Sequence, residues 1–236
     1  AAERPSVLSP PTLRAPVPWL LGPLHGLLPG LTTGFARLHY DDDLALAVLG
    51  IAWLVAWIFA DGLPQRVVFT AVAACTALFL LSPPQPITDV FNYFGYARMP
   101  GLGLNPYRDL PQAAPHDQLF ALSNWHHLQS PYGPLFTYAM RPLAALPLAT
   151  GLWIWKAIVV ASAIGIVELV RRLAIARGRS PQRAMVLAGL CPLTLPVGIG
   201  AFHNDFPPML ALTAAVLLLV RAQTGDHGVT AARRAA

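Results

Sequence analysis

Charge is scarce in this sequence. Charged residues make up 11% of its 236 residues, against about 25% in an ordinary soluble domain. A water-exposed globule of this size needs roughly twice that charge to cover its surface, which argues against a soluble enzyme. Lysine is nearly absent, Lys156 being the only one, so the net charge of +5 rests on arginine. Cysteine is limited to Cys75 and Cys191, both inside apolar runs, which excludes a secreted disulfide scaffold and leaves neither with metal-ligand company. No glycine-rich nucleotide loop is present. The basic residues do not interleave with aromatics as single-strand-binding platforms require, so nucleic acid is not an expected partner.

What is plentiful is apolar surface. Hydrophobic residues reach 55%, far too many for a disordered chain, and mean hydropathy is +0.52. A membrane-crossing helix needs about 20 apolar residues, with a range of roughly 17–25. Leu44–Ala60, Arg66–Leu81, Gly151–Val170, Ala184–Ala201 and Phe206–Val220 each fit, the fourth with a kink at Pro192 and Pro196. Val17–Leu31 is shorter and broken by three prolines, so it reads as either a span or an interfacial helix. The expected architecture is an all-α polytopic transmembrane bundle. It divides into an N-terminal region (1–43), a membrane module (44–221) with a long loop (83–150), and a polar, frayed tail (222–236). Pro134–Leu148 reads as short helix lying at the interface.

Arginine sets the orientation. Arg171, Arg172, Arg177, Arg179 and Arg183 crowd one short loop, which the positive-inside rule places in the cytoplasm. The loop 83–150 and the turn His203-Asn204-Asp205 then share the opposite, extracytoplasmic face.

The polar residues that could carry chemistry fall in those two places. In a helix, Asp89, Asn92, Tyr93 and Tyr96 would share one face at i, i+3, i+4 and i+7, with Val90, Phe91, Phe94 and Ala97 on the other. An acid, an amide and two phenols suit a hydroxylated ligand, although Asp89 behind Thr88 also suits a plain helix start. Asn105-Pro106-Tyr107 is a turn signal. Tyr132-Gly133-Pro134 reads as a turn whose Pro134 suits the first position of a helix, and Trp125 suits a headgroup anchor. His126 and His127 point in different directions and make a poor metal pair. Arg98, Arg108 and Arg141 lie on the outer face, where guanidinium forks hold phosphate oxygens or snorkel. Ionisable residues at a bilayer boundary, such as His203 and Asp205, are functional candidates by default.

These elements occur in a recognisable order: Asp89-Val90-Phe91-Asn92-Tyr93 with Gly95-Tyr96-Ala97-Arg98, then Gly103-Leu104-Asn105-Pro106-Tyr107, Trp125, Ser130-Pro131-Tyr132-Gly133-Pro134-Leu135, and His203-Asn204-Asp205. The series resembles the bacterial GT-C membrane glycosyltransferases that use polyprenyl-phosphate sugars, and most of all the actinobacterial polyprenol-phosphomannose-dependent mannosyltransferases. The resemblance covers about 66–220. It implies a hexose, most simply mannose, moved with inversion from a polyprenyl-phosphate carrier to a glycan or glycolipid acceptor outside the cytoplasm. It makes Asp89 the catalytic acid or base. It places the Tyr-Gly-Pro element beneath the active site and turns His203-Asn204-Asp205 toward it; beside that, Asn92, Tyr93, Arg98, Asn105, Tyr107, Trp125, His126, Tyr132, His203, Asn204 and Asp205 are the candidate substrate contacts. No cofactor is expected, and a divalent cation has no support beyond the acidic residue itself. Such enzymes have more spans than the five or six here, so the chain is expected to be an N-terminal part. A non-catalytic lipid or solute transporter is the alternative.

Overall fold

The computed structural model describes residues 23, 35–82, 84 and 89–235, and the side chains of most of these up to residue 223. The possible span at Val17–Leu31 and the cap at Thr88 lie outside the described residues. Among the described residues every regular element is helical. In order they are α1 (Phe35–Ile58), α2 (Gln65–Leu81), α3 (Asp89–Arg98), α4 (Pro134–Ala139), α5 (Arg141–Ala144), α6 (Leu148–Ala176), α7 (Pro181–Gly189) and α8 (Phe206–Ala235). Short 3-10 turns at Ala60–Gly62, Met99–Leu102 and Pro111–Ala113 join them, with a π-helical turn at Thr194–Ile199.

The long helix α6 is the spine. Its N-terminal stripe Leu148, Leu152, Trp155 and Val159 closes over Val90, Phe91, Phe94 and Ala97 of α3, with Met140 from between the two short helices and Ala144 from the second. Further along, Val167 meets Val68 and Val72 of α2 and Met185 and Val186 of α7. A third cluster joins Val160 and Ala163 to Leu195 and Ile199 of the π turn. The outward faces stay apolar: Leu44, Ile51 and Val55 of α1 and Leu212, Leu218 and Leu219 of α8 are exposed. The segment Phe206–Gln223 is long and apolar enough to cross a membrane, whereas the apolar stretches Leu46–Ile58 and Gln65–Leu81 are shorter.

Two sequence expectations change. The stretch Ala184–Ala201 is not one kinked helix. α7 stops at Gly189, and the chain re-enters helical geometry only at Thr194. Pro192 and Pro196 lack the amides that a continuous ladder needs, and their rings collide with the preceding turn. The backbone recovers through wider bonds, from Gly198 N to Leu193 O (3.1 Å), Gly200 N to Leu195 O (2.8 Å) and His203 N to Gly198 O (3.1 Å). At the other end, α8 continues through 222–235 as helix where the polar composition suggests fraying. Between α3 and α6, Pro134 opens α4 at its first turn and α5 follows at once. Six- and four-residue helices at 1.5 Å rise are each under about 10 Å long, too short to cross a bilayer.

Gly151 is where the loop helices are pinned to the spine. A Cβ there would collide with the carbonyl oxygen of Leu143 and come within 2.9 Å of Phe94 Cε1. Gly151→Ala is therefore expected to destabilise the purified protein by about 1–3 kcal/mol in a detergent unfolding assay. A loss under about 0.5 kcal/mol would contradict this packing.

Candidate functional site

Polar residues of the loop 83–150 and of the turn before α8 converge at the N-terminal end of α3. Asp89 is its first residue, and its carboxylate is partly buried. The turn that leads from the π segment into α8 brings His203 against it: Nε2 lies 4.0 Å from Asp89 Oδ2, while Nδ1 lies 3.6 Å from Asp205 Oδ2. His203 thus stands between two carboxylates, one partly buried and one well exposed. Burial pushes the Asp89 carboxyl above the ordinary aspartate value, and His203 offsets part of that rise.

One turn into α3, Tyr93 is buried beneath this group. Its hydroxyl faces the Asn204 backbone and the Tyr132 hydroxyl, and among the described residues neither it nor the likewise buried His203 Nε2 closes a hydrogen bond. Two buried polar atoms without a hydrogen-bond partner among the described residues thus lie beside one carboxylate, an uncommon and costly arrangement that marks this place in the fold. Burial, with the nearby Asp89 charge, drives the Tyr93 phenol far above its usual range, and Tyr132 follows by burial and by Tyr93 and Asp89. Both therefore stay neutral and keep an O–H to donate.

The floor is aromatic. Tyr93 meets Tyr132 edge-on at 4.9 Å, Phe136 at 5.3 Å and Trp155 at 6.4 Å between ring centroids. Trp125 lies nearly parallel to Tyr132, 6.3 Å away at 11°. Trp125, Tyr132, Tyr93, His203, Asn204 and Asp205 are thus gathered in one region with Asp89.

Other candidates are engaged elsewhere. Asn92 is buried. Its Nδ2 donates to Asn124 Oδ1 (3.0 Å), and its Oδ1 accepts from Trp125 N (3.3 Å), so it clips the Trp125 loop to α3. Tyr96 donates to Leu128 O at 2.9 Å, with its phenol pushed up to about 12 by burial. Arg98 binds Asp117 Oδ2 through Nε (2.8 Å) and Ala144 O through Nη1 (3.1 Å), tying the end of α3 to α5. Asn105 closes its own turn: its Oδ1 accepts from Tyr107 N (2.9 Å), and its backbone N–H donates to Asp109 Oδ2 (2.6 Å). Tyr107 keeps a buried, unpartnered hydroxyl in that turn. His126 stacks on Phe120 at 3.8 Å, with Nε2 at 2.7 Å from Phe120 O, and belongs to its own loop. Among the described residues no group of three or more His, Cys, Asp or Glu side chains is arranged to hold a metal ion.

Sequence reasoning missed Trp155 and Phe202. Trp155 lies on the buried stripe of α6 at helical spacing from Leu148 and Leu152, a signal that marks core but not site. Phe202 carries a left-handed backbone, φ 55°, which nothing in a phenylalanine's identity announces.

Residues 37–236 match the family described as alpha-(1->6)-mannopyranosyltransferase, N-terminal domain. A Mycolicibacterium smegmatis protein named "Probable alpha-(1->6)-mannopyranosyltransferase" is 29% identical over 171 residues, covering 67% of this chain and 30% of that protein. An alpha-(1->6)-mannopyranosyltransferase of Mycobacterium tuberculosis is 28% identical over 133 residues, covering 53% of this chain and 22% of its own length. The matched part thus spans less than a third of these relatives. No solved structure matches the chain.

The Asn92 clip gives a test of the site's frame. Asn92→Ala removes both hydrogen bonds that hold 124–125 to α3 and is expected to cost about 1–3 kcal/mol of stability. Thermal unfolding in detergent would read this, and an unchanged midpoint would contradict the clip.

Proposed function

We propose a glycosyl-transfer reaction from one premise: this chain belongs to the alpha-(1->6)-mannopyranosyltransferase family, through that family's N-terminal domain. It is the N-terminal part of a multi-pass membrane mannosyltransferase of GT-C type. The enzyme moves mannose from a polyprenyl-phosphate carrier to a hydroxyl of a glycan or glycolipid on the outer side of the cell membrane.

The observation that carries the reading is the meeting of Asp89 with His203 at 4.0 Å, from positions 114 residues apart in sequence (203 − 89), beside the unpartnered Tyr93 hydroxyl. A carboxylate whose proton affinity is raised by burial is a better general base near neutral pH than a solvated one. An acceptor hydroxyl seated there gives its proton to Asp89 as its oxygen attacks the anomeric carbon. The anomeric C–O bond to phosphate breaks, and its electron pair leaves with the lipid phosphate. One such displacement inverts the anomeric centre. The neutral phenol of Tyr93 is buried beneath Asp89 and supports the site from below, while the partly open Trp125 and Tyr132 supply apolar faces for sugar C–H groups.

The membrane setting is supported by the apolar Phe206–Gln223 helix and by the polarity of α6. Trp155 near its start faces the site, whereas Glu168 near its end pairs with Arg171 and Arg172, both at 2.6 Å. Sixteen residues separate Trp155 from Arg171 (171 − 155), or about 24 Å at helical rise, comparable with a bilayer core. The arginine-rich end supports a cytoplasmic assignment there and an extracytoplasmic site opposite. The transporter alternative calls for polar groups facing a path within the spans. Lys156 instead is buried, donating to Ser82 O at 2.8 Å.

In membranes carrying the complete gene product, assayed with radiolabelled polyprenyl-phosphate mannose, Asp89→Asn is expected to lower transfer at least about 10²-fold with normal expression. Near-wild-type turnover would refute the assignment. The base must be ionised, so kcat/KM of the wild type should fall as pH is lowered through the Asp89 pKa, which lies above the ordinary 3.8. A pH profile flat down to pH 4 would contradict a buried carboxylate base.

A further inference from the structure

The turn that delivers His203 is strained and is held from outside itself. Among the described residues Phe202 is the one non-glycine residue with positive φ, at 55°, and its side chain is fully buried. A left-handed conformation disfavours any residue with a Cβ, and such outliers persist only where their surroundings over-determine them. Here the surroundings are identifiable. The indole N–H of Trp155 donates to the Phe202 carbonyl at 2.9 Å, in a bond buried between α6 and the turn. The Lys156 ammonium, next along α6, sits 4.8 Å from the Phe202 ring centroid and is anchored on Ser82 O. The Phe202 amide donates to Ile199 O at 3.1 Å, and the His203 amide to Gly198 O at 3.1 Å. Trp155 also packs against Tyr93 and Phe136, so one side chain touches both halves of the site, yet it is itself buried away from any ligand.

We propose that Trp155 and the left-handed Phe202 form a positioning device that holds His203 against Asp89. This deepens the transferase reading above and rests on it. Trp155 is a positioning residue: it acts on the carboxylate through the turn, by its N–H, and through its ring contact with Tyr93, which a phenylalanine in its place would keep. A phenylalanine could fill the same space but could not bind the carbonyl that fixes the Phe202 backbone.

The test uses the full-length enzyme in its membrane. Trp155→Phe keeps a ring and removes the N–H. The expected result is a kcat loss of about tenfold or more with KM within about twofold, since tenfold corresponds to about 1.36 kcal/mol, in the range of one buried hydrogen bond. The acid limb of the kcat/KM profile should also move to higher pH. Asp89 is faced by His203 from the turn, Tyr93 from its own helix and Tyr132 from the loop, and His203 is the neighbour that lowers its proton affinity. A merely structural indole would leave that limb in place.

A second pair isolates the backbone if Trp155→Phe does not fold. Phe202→Gly and Phe202→Ala both remove the ring, but only glycine adopts positive φ without strain. The glycine variant should exceed the alanine variant in kcat by roughly tenfold. Equal activities in that pair, or an unmoved acid limb in Trp155→Phe, would overturn the device. If Asp89→Asn nonetheless abolishes transfer, the transferase reading survives that failure; if Asp89→Asn is active, the reading itself falls.

Discussion

A ten-residue helix buried on nearly all its sides governs the half of this molecule that holds the candidate site. In α3, Val90, Phe91, Asn92, Tyr93, Phe94, Tyr96 and Ala97 are all buried, leaving only Asp89, Gly95 and Arg98 partly open. So short a helix has little stability of its own, because nucleation is costly and the turns are few. It is held by the α6 stripe on its apolar side and by hydrogen bonds from Asn92, Tyr96 and Arg98 to the surrounding loop. Fixing α3 fixes the direction in which its first residue, Asp89, projects. The packing and the candidate chemistry therefore share one cause.

The few charges divide by task. Arg98 with Asp117, and Glu168 with Arg171 and Arg172, form close pairs that staple elements or helix turns. Arg183 with Asp61, together with Ser180 hydrogen-bonded to Asp61, ties α7 to the turn after α1. At the α3–α8 junction the arrangement differs: His203 lies between two carboxylates at 4.0 and 3.6 Å, and among the described residues no arginine pairs with them. A carboxylate left without a tight partner in a partly dry place keeps its basicity, which an ion-paired one loses.

The α6–α8 region also explains why irregular backbone sits where it does. Two prolines end the α7 ladder, and the wide π-type bonds that follow let the chain reverse before α8. That reversal places Phe202 under the Trp155 indole and carries His203 outward to α3. Irregular backbone of this kind is tolerated where protein surrounds it and its polar groups are paired, and Phe202 and Ala201 are fully buried.

The sequence by itself determined the helical class, the placement of the long apolar helices α1, α2, α6 and α8, and the two polar stretches, because periodicity and composition are local properties. It also identified Asp89 and His203-Asn204-Asp205 as residues of interest, since polar groups amid apolar runs are costly without a purpose. Only the tertiary structure decided that the polar face of α3 is buried rather than open. There Asn92 and Tyr96 spend their hydrogen bonds on loop backbone and on Asn124, while Tyr93 does not. It alone turned the expected kink near Pro192 into a break. The 4.0 Å meeting of Asp89 and His203 depends on a backbone angle at Phe202 enforced from α6, 47 residues away (202 − 155). Contacts at that separation are set by packing, and no local pattern encodes them.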